Sequence, residues 1–181
     1  MYETERLLVR NFMPEDAEQC MESWGKDKKL GRYIISYPMQ DISQMRDFVE
    51  IMSKQENAWV IVEKKSKCIV GYITIDITYE SLKIGELGYV IGEKYQGNGY
   101  SYEAIKKILH NYFEVKNLYL VEAKYNESNI GSGKILNKLG FKKEAILRGR
   151  RIDGISKERN NMVICSITKD EFEQKKSDWY N

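Results

Sequence analysis

Apolar residues recur along this chain with two periods, and the switches between them mark out its elements. Glu5-Arg-Leu-Leu-Val-Arg-Asn-Phe12 alternates loosely and predicts a strand. Pro14 then takes a first helical position ahead of Ala17, Cys20, Met21 and Trp24 at helical spacing. Residues 26–39 are irregular. Asp41 and Gln44 form an Asp-x-x-Gln capping box before Ile42, Met45, Phe48, Val49 and Met52, which predicts a second amphipathic helix. The region between and along these two helices is a candidate lid. From Ala58 the period shortens. Trp59 to Val62, Cys68 to Thr78 and Ile84 to Ile91 are β-rich runs parted by Lys64-Lys65-Ser66-Lys67 and Tyr79-Glu80-Ser81, as in an antiparallel meander.

A helix over about residues 99–114 follows, with Ala104, Ile105, Ile108, Leu109, Tyr112 and Phe113 on one face. A strand at 118–123 comes next, then a short helix at 129–139 stopped by Gly140, and a strand from Phe141 to about Arg151. Asp153-Gly154 signals a tight turn into a last strand at about 160–168. The order β-α-α-β-β-β-α-β-α-β-β predicts a single α+β domain over 1–181, a mostly antiparallel central sheet flanked by helices. Its core covers about 3–170, and 171–181 read as a terminal helix or a loose tail.

Composition narrows the classes. With 181 residues, 42% hydrophobic, 31% charged and only 2 Pro, the chain can bury a core and is neither disordered nor fibrous. A formal charge of +2 is too balanced for a surface built wholly around DNA or an anionic membrane. No apolar run approaches the ~20 residues of a membrane span, and the acidic start Met1-Tyr-Glu-Thr-Glu-Arg6 is unlike a signal peptide. Cys20, Cys68 and Cys165 are odd in number and flanked by apolar residues, which suits buried thiols in a reducing compartment and a cytoplasmic location.

The informative stretch is Glu86-Leu-Gly-Tyr-Val-Ile-Gly-Glu-Lys-Tyr-Gln-Gly-Asn-Gly-Tyr-Ser-Tyr-Glu-Ala104, a strand, a glycine-bearing loop and a helix start. Such loops aim backbone N–H groups and the positive helix end at a phosphate, and Gly97 and Gly99 remove the Cβ that would obstruct it. A plain strand-to-helix turn would look the same in loop shape alone. A Walker loop needs a lysine where this chain has Gly99-Tyr100-Ser101. A dinucleotide fingerprint would lack its third glycine at Tyr102, although Glu122 stands where its acid would fall, near the end of the next strand.

Gln96-Gly-Asn-Gly99-Tyr-Ser101 resembles the Gln/Arg-x-x-Gly-x-Gly/Ala loop of the GCN5-related N-acetyltransferases, with Ser101 replacing the last small residue. Asn129-x-x-Ser132 and Lys138-Leu-Gly-Phe141 resemble that superfamily's Asn-bearing helix and its Leu-Gly-Phe ending. Thr4-Glu-Arg-Leu-Leu-Val-Arg10 and Asp153-Gly154 are most similar to its RimJ/RimL-type branch, whose members acetylate protein N-termini, with relatives acting on small amines and antibiotics. The resemblance implies acetyl-CoA as donor. Its pyrophosphate would lie on N–H groups of Gln96, Gly97, Asn98, Gly99, Tyr100 and Ser101, and its pantetheine would run beside Tyr89, Val90 and Ile91 like an added strand, held by Asn129.

The same resemblance makes Glu86 the candidate base, acting directly or through a water, and a backbone N–H at Val90 or Ile91 the holder of the thioester oxygen. The tyrosine general acid of many members would stand at Leu136. The RimJ/RimL branch offers Ser132 instead, as acid to the departing sulfur or only as a cofactor contact. An α-amine of pKa ~8 needs little base help, a lysine or polyamine at ~10.4 needs more. His110 falls on the polar side of its helix away from the loop, Cys165 reads as a structural thiol, and no cluster has metal spacing. Direct attack in a ternary complex is therefore expected.

Three functions stay open: acetylation of a protein N-terminal α-amine, the favoured one; acetylation of a polyamine, amino sugar or antibiotic; and a non-catalytic CoA-binding module. Glu15, Glu18, Asp41, Asp47 and Glu50 keep the polyamine in play. Around the Asp153 turn, Lys142, Lys143, Arg148, Arg150, Arg151, Lys157 and Arg159 outnumber Glu144, Asp153 and Glu158. This excess fits an acidic protein or ribosomal surface, the adenosine 3′-phosphate, or a solvated hairpin. Asn161 replaces an aspartate frequent in the branch, which leaves the acceptor read there open. The resembled proteins are monomers or dimers.

Overall fold

The period-two runs become strands of one sheet, and the helical runs fold onto both its faces. The computed structural model describes residues 1–34 and 36–180. Its strands are β1 (Tyr2–Glu3), β2 (Leu7–Asn11), β3 (Ala58–Glu63), β4 (Ile69–Tyr79), β5 (Ile84–Ile91), β6 (Leu120–Asn126), β7 (Lys142–Ile152) and β8 (Arg159–Thr168). They form an eight-stranded sheet in the order β1-β2-β3-β4-β5-β6-β8-β7. The helices are α1 (Ala17–Cys20), α2 (Ile42–Ser53), α3 (Tyr100–Glu114), α4 (Ile130–Leu139) and α5 (Lys169–Tyr180). This is the expected α+β architecture, with the β3-β4-β5 meander in place.

Alternation along the strands sends one set of side chains to each face. Leu87, Val121 and Ile167 meet Ile105, Leu109 and Phe113 of α3 on one side. Val60 and Val90 meet Trp24, Met45 and Val49 on the other. Of the two options for the C-terminus, the structure takes the helix. Phe172 is fully buried and stacks on Phe113 at 4.7 Å between ring centroids, so the core extends past residue 170. The two-residue β1 had no signal in the pattern. It pairs Tyr2 with Val9, and the Tyr2 hydroxyl donates to Asn111 Oδ1 at 2.9 Å.

Every pairing is antiparallel except β5 with β6, which are parallel and matched only from Ile84↔Leu120 to Leu87↔Ala123. Beyond that register β5 stays with β4 through Ile91, while β6 stays with β8 through Asn126. The two strands part there, opening a wedge in the middle of the sheet. A parallel pair joined by a helix is also what lets α3 start at the wedge, directly after β5.

One local expectation needs correction. Asp153-Gly154 is not a two-residue turn. Asp153 Oδ1 accepts from the N–H groups of Ile155 and Ser156 at 2.8 and 2.9 Å, and Asp153 N donates to Glu158 O at 2.9 Å, so the hairpin closes around a longer loop. Those two bonds hold the Asp153 carboxyl below its ordinary range. Gly154 serves a contact instead: its N–H donates to Gly31 O at 2.8 Å, and a Cβ there would sit 2.2 Å from that oxygen. The hairpin end is thereby fastened to the segment between α1 and α2. Gly154→Ala is expected to cost about 2 kcal/mol through forced separation of the two backbones. Thermal unfolding should show a melting temperature lower by roughly 4–8 °C. An unchanged value would mean the two segments are not held together.

Candidate active site

The loop after β5 is shaped by two left-handed glycines, Gly97 at φ 80° and Gly99 at φ 79°. Gly99 is the N-cap of α3 and no side chain caps that helix, which leaves first-turn N–H groups for an anion. A Cβ on Gly97 would meet nothing within 4 Å. Its glycine therefore answers to backbone conformation rather than crowding. Gln96 Nε2 donates back to Ile91 O at 3.0 Å and braces the loop from within.

The loop opens on a cavity of about 960 Å³ that passes through the wedge. Glu86, Tyr89, Val90, Ile91, Gln96, Gly97, Gly99, Tyr100, Ser101, Asn129 and Ser132 all line it. Asn98 does not. Its side chain turns onto Tyr95 O at 3.0 Å, and its carbonyl accepts from Arg6 Nη1 at 3.0 Å. Along β5, Gly92 N donates to Val70 O of the meander, so alternation turns the backbone groups of Val90 the same way and those of Tyr89 and Ile91 into the wedge. Of the two N–H groups expected at the thioester oxygen, Ile91's is the one that faces the opening.

A brace that the motif did not reveal holds the loop from outside. Arg6 pairs with Glu103 of α3 at 2.6 Å, lies 5.1 Å above the Tyr100 ring, and makes the Asn98 contact just described. Thr4 Oγ1 and Arg6 N also donate to Glu103, at 2.5 and 3.0 Å. Tyr100 OH donates to Glu63 Oε1 of β3 at 2.5 Å. Burial pushes the Glu103 carboxyl upward, but its bonds to Thr4 and Arg6 outweigh that and hold it below the usual range. The Thr4–Arg10 stretch thus has a visible structural task.

On the α4 side, Asn129 caps the helix by accepting from Ser132 N at 3.1 Å, which leaves its amide nitrogen for a ligand. The Tyr89 hydroxyl lies buried beside Ser132 without a hydrogen bond of ordinary geometry. Burial pushes its pKa up to about 12, with Ser132 drawing it partly back. Leu136 is 2% exposed and gives this wall an apolar surface where many acetyltransferases of the resembled superfamily place a tyrosine.

On the opposite side of the wedge, Glu86 accepts from Lys124 Nζ at 2.5 Å and stands level with Asp76 and Glu122 on the neighbouring strands. Sequence alone gave no sign of Lys124 as its partner, because the pair forms across two strands that are far apart in the chain. The acids weighed for a polyamine behave as helix-surface charges: none lines the cavity, Glu18 pairs with Arg46 and Glu50 with Lys54. Cys165 Sγ lies 3.4 Å from Ala123 O, and burial pushes its thiol up to about 12. Among the described residues, no group of three His, Cys, Asp or Glu could hold a metal ion, and no helix is long and apolar enough to cross a membrane.

A helix start without a side-chain cap, a glycine cradle and a wedge between two central strands form a site suited to a phosphate-bearing ligand. The sequence profile of the Acetyltransferase (GNAT) domain matches residues 6–142, and the chain belongs to that family of N-acetyltransferases. It is 32% identical over 161 residues to the uncharacterized N-acetyltransferase p20 of Bacillus licheniformis, covering 83% of this chain and 90% of p20. It is 38% identical over 153 residues to the [ribosomal protein uS5]-alanine N-acetyltransferase of Escherichia coli (strain K12), covering 78% and 77%. The crystal structure of the microcin C7 self-immunity acetyltransferase MccE, in complex with acetyl-CoA and AMP, superposes with a TM-score of 0.79 at 21% identity, covering 91% and 93%.

The brace has a measurable signature. Glu103→Gln is expected to cost roughly 1–3 kcal/mol at pH 7, the worth of a charged hydrogen-bond acceptor. Because the folded carboxyl titrates below its unfolded value of about 4.3, that contribution is present above this pH and is lost as pH falls through the folded value. Urea unfolding of the wild type and the variant should diverge at pH 7 and converge in acid. A gap independent of pH would show that the charge is not what binds the loop.

Proposed function

We propose that the chain transfers the acetyl group of acetyl-CoA to the α-amine of a protein N-terminus. The observation that carries this is the wedge, which connects a phosphate cradle on one face of the sheet to Glu86 on the other. Bound acetyl-CoA supplies an activated acetyl thioester that a neutral amine can attack directly. The N–H groups from Gly97 to Ser101 hold the pyrophosphate, with Asn98 contributing through the backbone, whereas the Gln96 N–H expected there already donates to Glu93 O at 3.1 Å. The edge of β5 left open by the Tyr89 and Ile91 backbone, with Val90 between them turned to β4, and the Asn129 amide hold the pantetheine.

Glu86 takes the proton that the attacking amine sheds, and Lys124 beside it pairs with the carboxylate and aims it. Ile91 N–H meets the charge that develops on the thioester oxygen. Ser132 and Tyr89 are the hydroxyls available to the departing thiolate, and a phenol titrating near 12 is protonated at neutral pH. Two carboxylates of the acceptor side are already engaged, Glu86 with Lys124 and Asp76 with Asn57 Nδ2 at 2.6 Å, which disfavours a polyamine. Need for acetyl-CoA and three free thiols support a cytoplasmic reaction. The uS5-alanine acetyltransferase, similar over most of both chains, supports an N-terminal acceptor.

Release of CoA thiol, followed with peptides bearing N-terminal alanine or serine, spermidine and an aminoglycoside, tests the acceptor. Peptides should give the highest kcat/KM, and a preference for spermidine would overturn the assignment. Glu86→Gln should lower kcat/KM on a peptide by about ten- to hundredfold at pH 7. The deficit should shrink toward pH 9, where an α-amine of pKa about 8 is already neutral. Equal rates at both pH values would remove Glu86 as base, and tight acetyl-CoA binding with no turnover would indicate a binding module.

A further inference from the structure

Seven charged side chains line the cavity, and all but one of them meet a polar partner. Lys29 pairs with Glu93 and Lys124 with Glu86. Asp76 accepts from Asn57, and Asp27 Oδ1 accepts from Lys29 N at 2.8 Å. Arg151, at the end of β7, is the exception. It is half-buried, its Nε is shut away from solvent without a hydrogen bond, and among the described residues it has no ion-pair partner. Burying that N–H unpaired is costly unless something brought by a ligand completes it, and the planar fork of the guanidinium matches a carboxylate.

We propose that Arg151 forms an anion subsite that reads an acidic side chain in the acceptor, a few residues from the amine. This rests on the N-terminal acceptor proposed above and names the class of peptide. Placement in the sheet sets the spacing. Glu86 is level with Glu122 and so with Ser166 on β8, whereas Arg151 is level with Asn160 at the other end of β8. The two positions are three strand steps apart, about 14 Å, and six residues along β8, about 20 Å.

Fastening of the Gly154 loop to Gly31 joins the hairpin end to the segment whose Leu30 and Tyr33 line the cavity. An amine at Glu86 and a carboxylate at Arg151 are separated by more than the single carbon of a free amino acid. An extended peptide advances about 3.3 Å per residue and covers the gap with its first few residues. Asp27 Oδ2, the other polar atom of the lining charges that is buried without a partner, is an acceptor that a peptide N–H satisfies.

The test is a scan of pentapeptide amides, Ala followed by four Gly, with one Asp moved through positions two to five. At one position at least, Asp should raise kcat/KM about tenfold over the all-Gly peptide. Arg151→Gln should bring that peptide down to the all-Gly level while KM for acetyl-CoA stays within about twofold, and Arg151→Lys should retain part of the preference. Indifference to Asp at every position would overturn the subsite. So would a raised KM for acetyl-CoA in Arg151→Gln, which would give the arginine to the donor, or a preference for free alanine or aspartate over every peptide.

Calorimetry with the N-acetylated Asp and all-Gly peptides in the presence of CoA reads the same subsite without turnover. Binding about tenfold tighter for the Asp peptide, lost in Arg151→Gln, supports it even if no peptide is acetylated, in which case only the acceptor assignment fails. Equal binding of the two peptides overturns the subsite itself.

Discussion

A single parallel pairing that stops after four residue pairs organises this protein. Had β5 and β6 remained matched to their ends, the sheet would be continuous and its two faces separate. Because β5 continues with β4 and β6 with β8, the strands part after Leu87 and Ala123, and backbone edges are exposed in the middle of the molecule instead of at its rim. Unpaired N–H and C=O groups in such a place are expensive unless something completes them. Part of that demand is met internally, by the Gln96 side chain on Ile91 O. The rest is the ligand-binding capacity of the site.

The wedge also explains why chemistry-bearing residues lie on opposite faces. Side chains alternate along β5, so Tyr89 turns toward α4 and Ser132 while Glu86 turns toward Lys124 and the α1–α2 side. One strand thereby presents side chains to both faces of the sheet, and the opening between strands joins the two. A loop with two left-handed glycines and a helix start can act only if it stays in register with that opening. Arg6, Glu103 and Tyr100 provide this by tying the loop to the first strands of the sheet.

Much of this was legible in the residue pattern, and for a physical reason. Helical and strand periods, the Pro14 and Asp41 starts and the Gly140 stop are local signals, and every main helix and strand they indicated is present. Gly97 and Gly99 were readable because positive φ is a property of a residue and its neighbours. What escaped is what depends on the distant chain. Lys124 reaches Glu86 across the sheet, Arg6 reaches Glu103 from the other end of the sequence, and Asn98 was grouped with a cradle that its side chain does not line. Asp153-Gly154 has the composition of a tight turn, but Gly154 answers to the Gly31 backbone instead, a constraint no local pattern carries.

The charged groups of this fold divide in the same way. Pairs such as Lys26–Glu22 or Lys54–Glu50 lie on exposed helix faces, follow from spacing within one helix and add little to stability. Groups that face the cavity come together through topology, and their state of satisfaction is informative. Glu86 with Lys124 is an ion pair at the wedge that needs no counter-charge from outside. Arg151 stands where the β7–β8 hairpin folds back on the α1–α2 segment, with no such partner. A family scaffold can keep its donor site on backbone geometry while acceptor preference shifts through side chains of this second kind, because changing them leaves the strand pairing and the glycine loop intact.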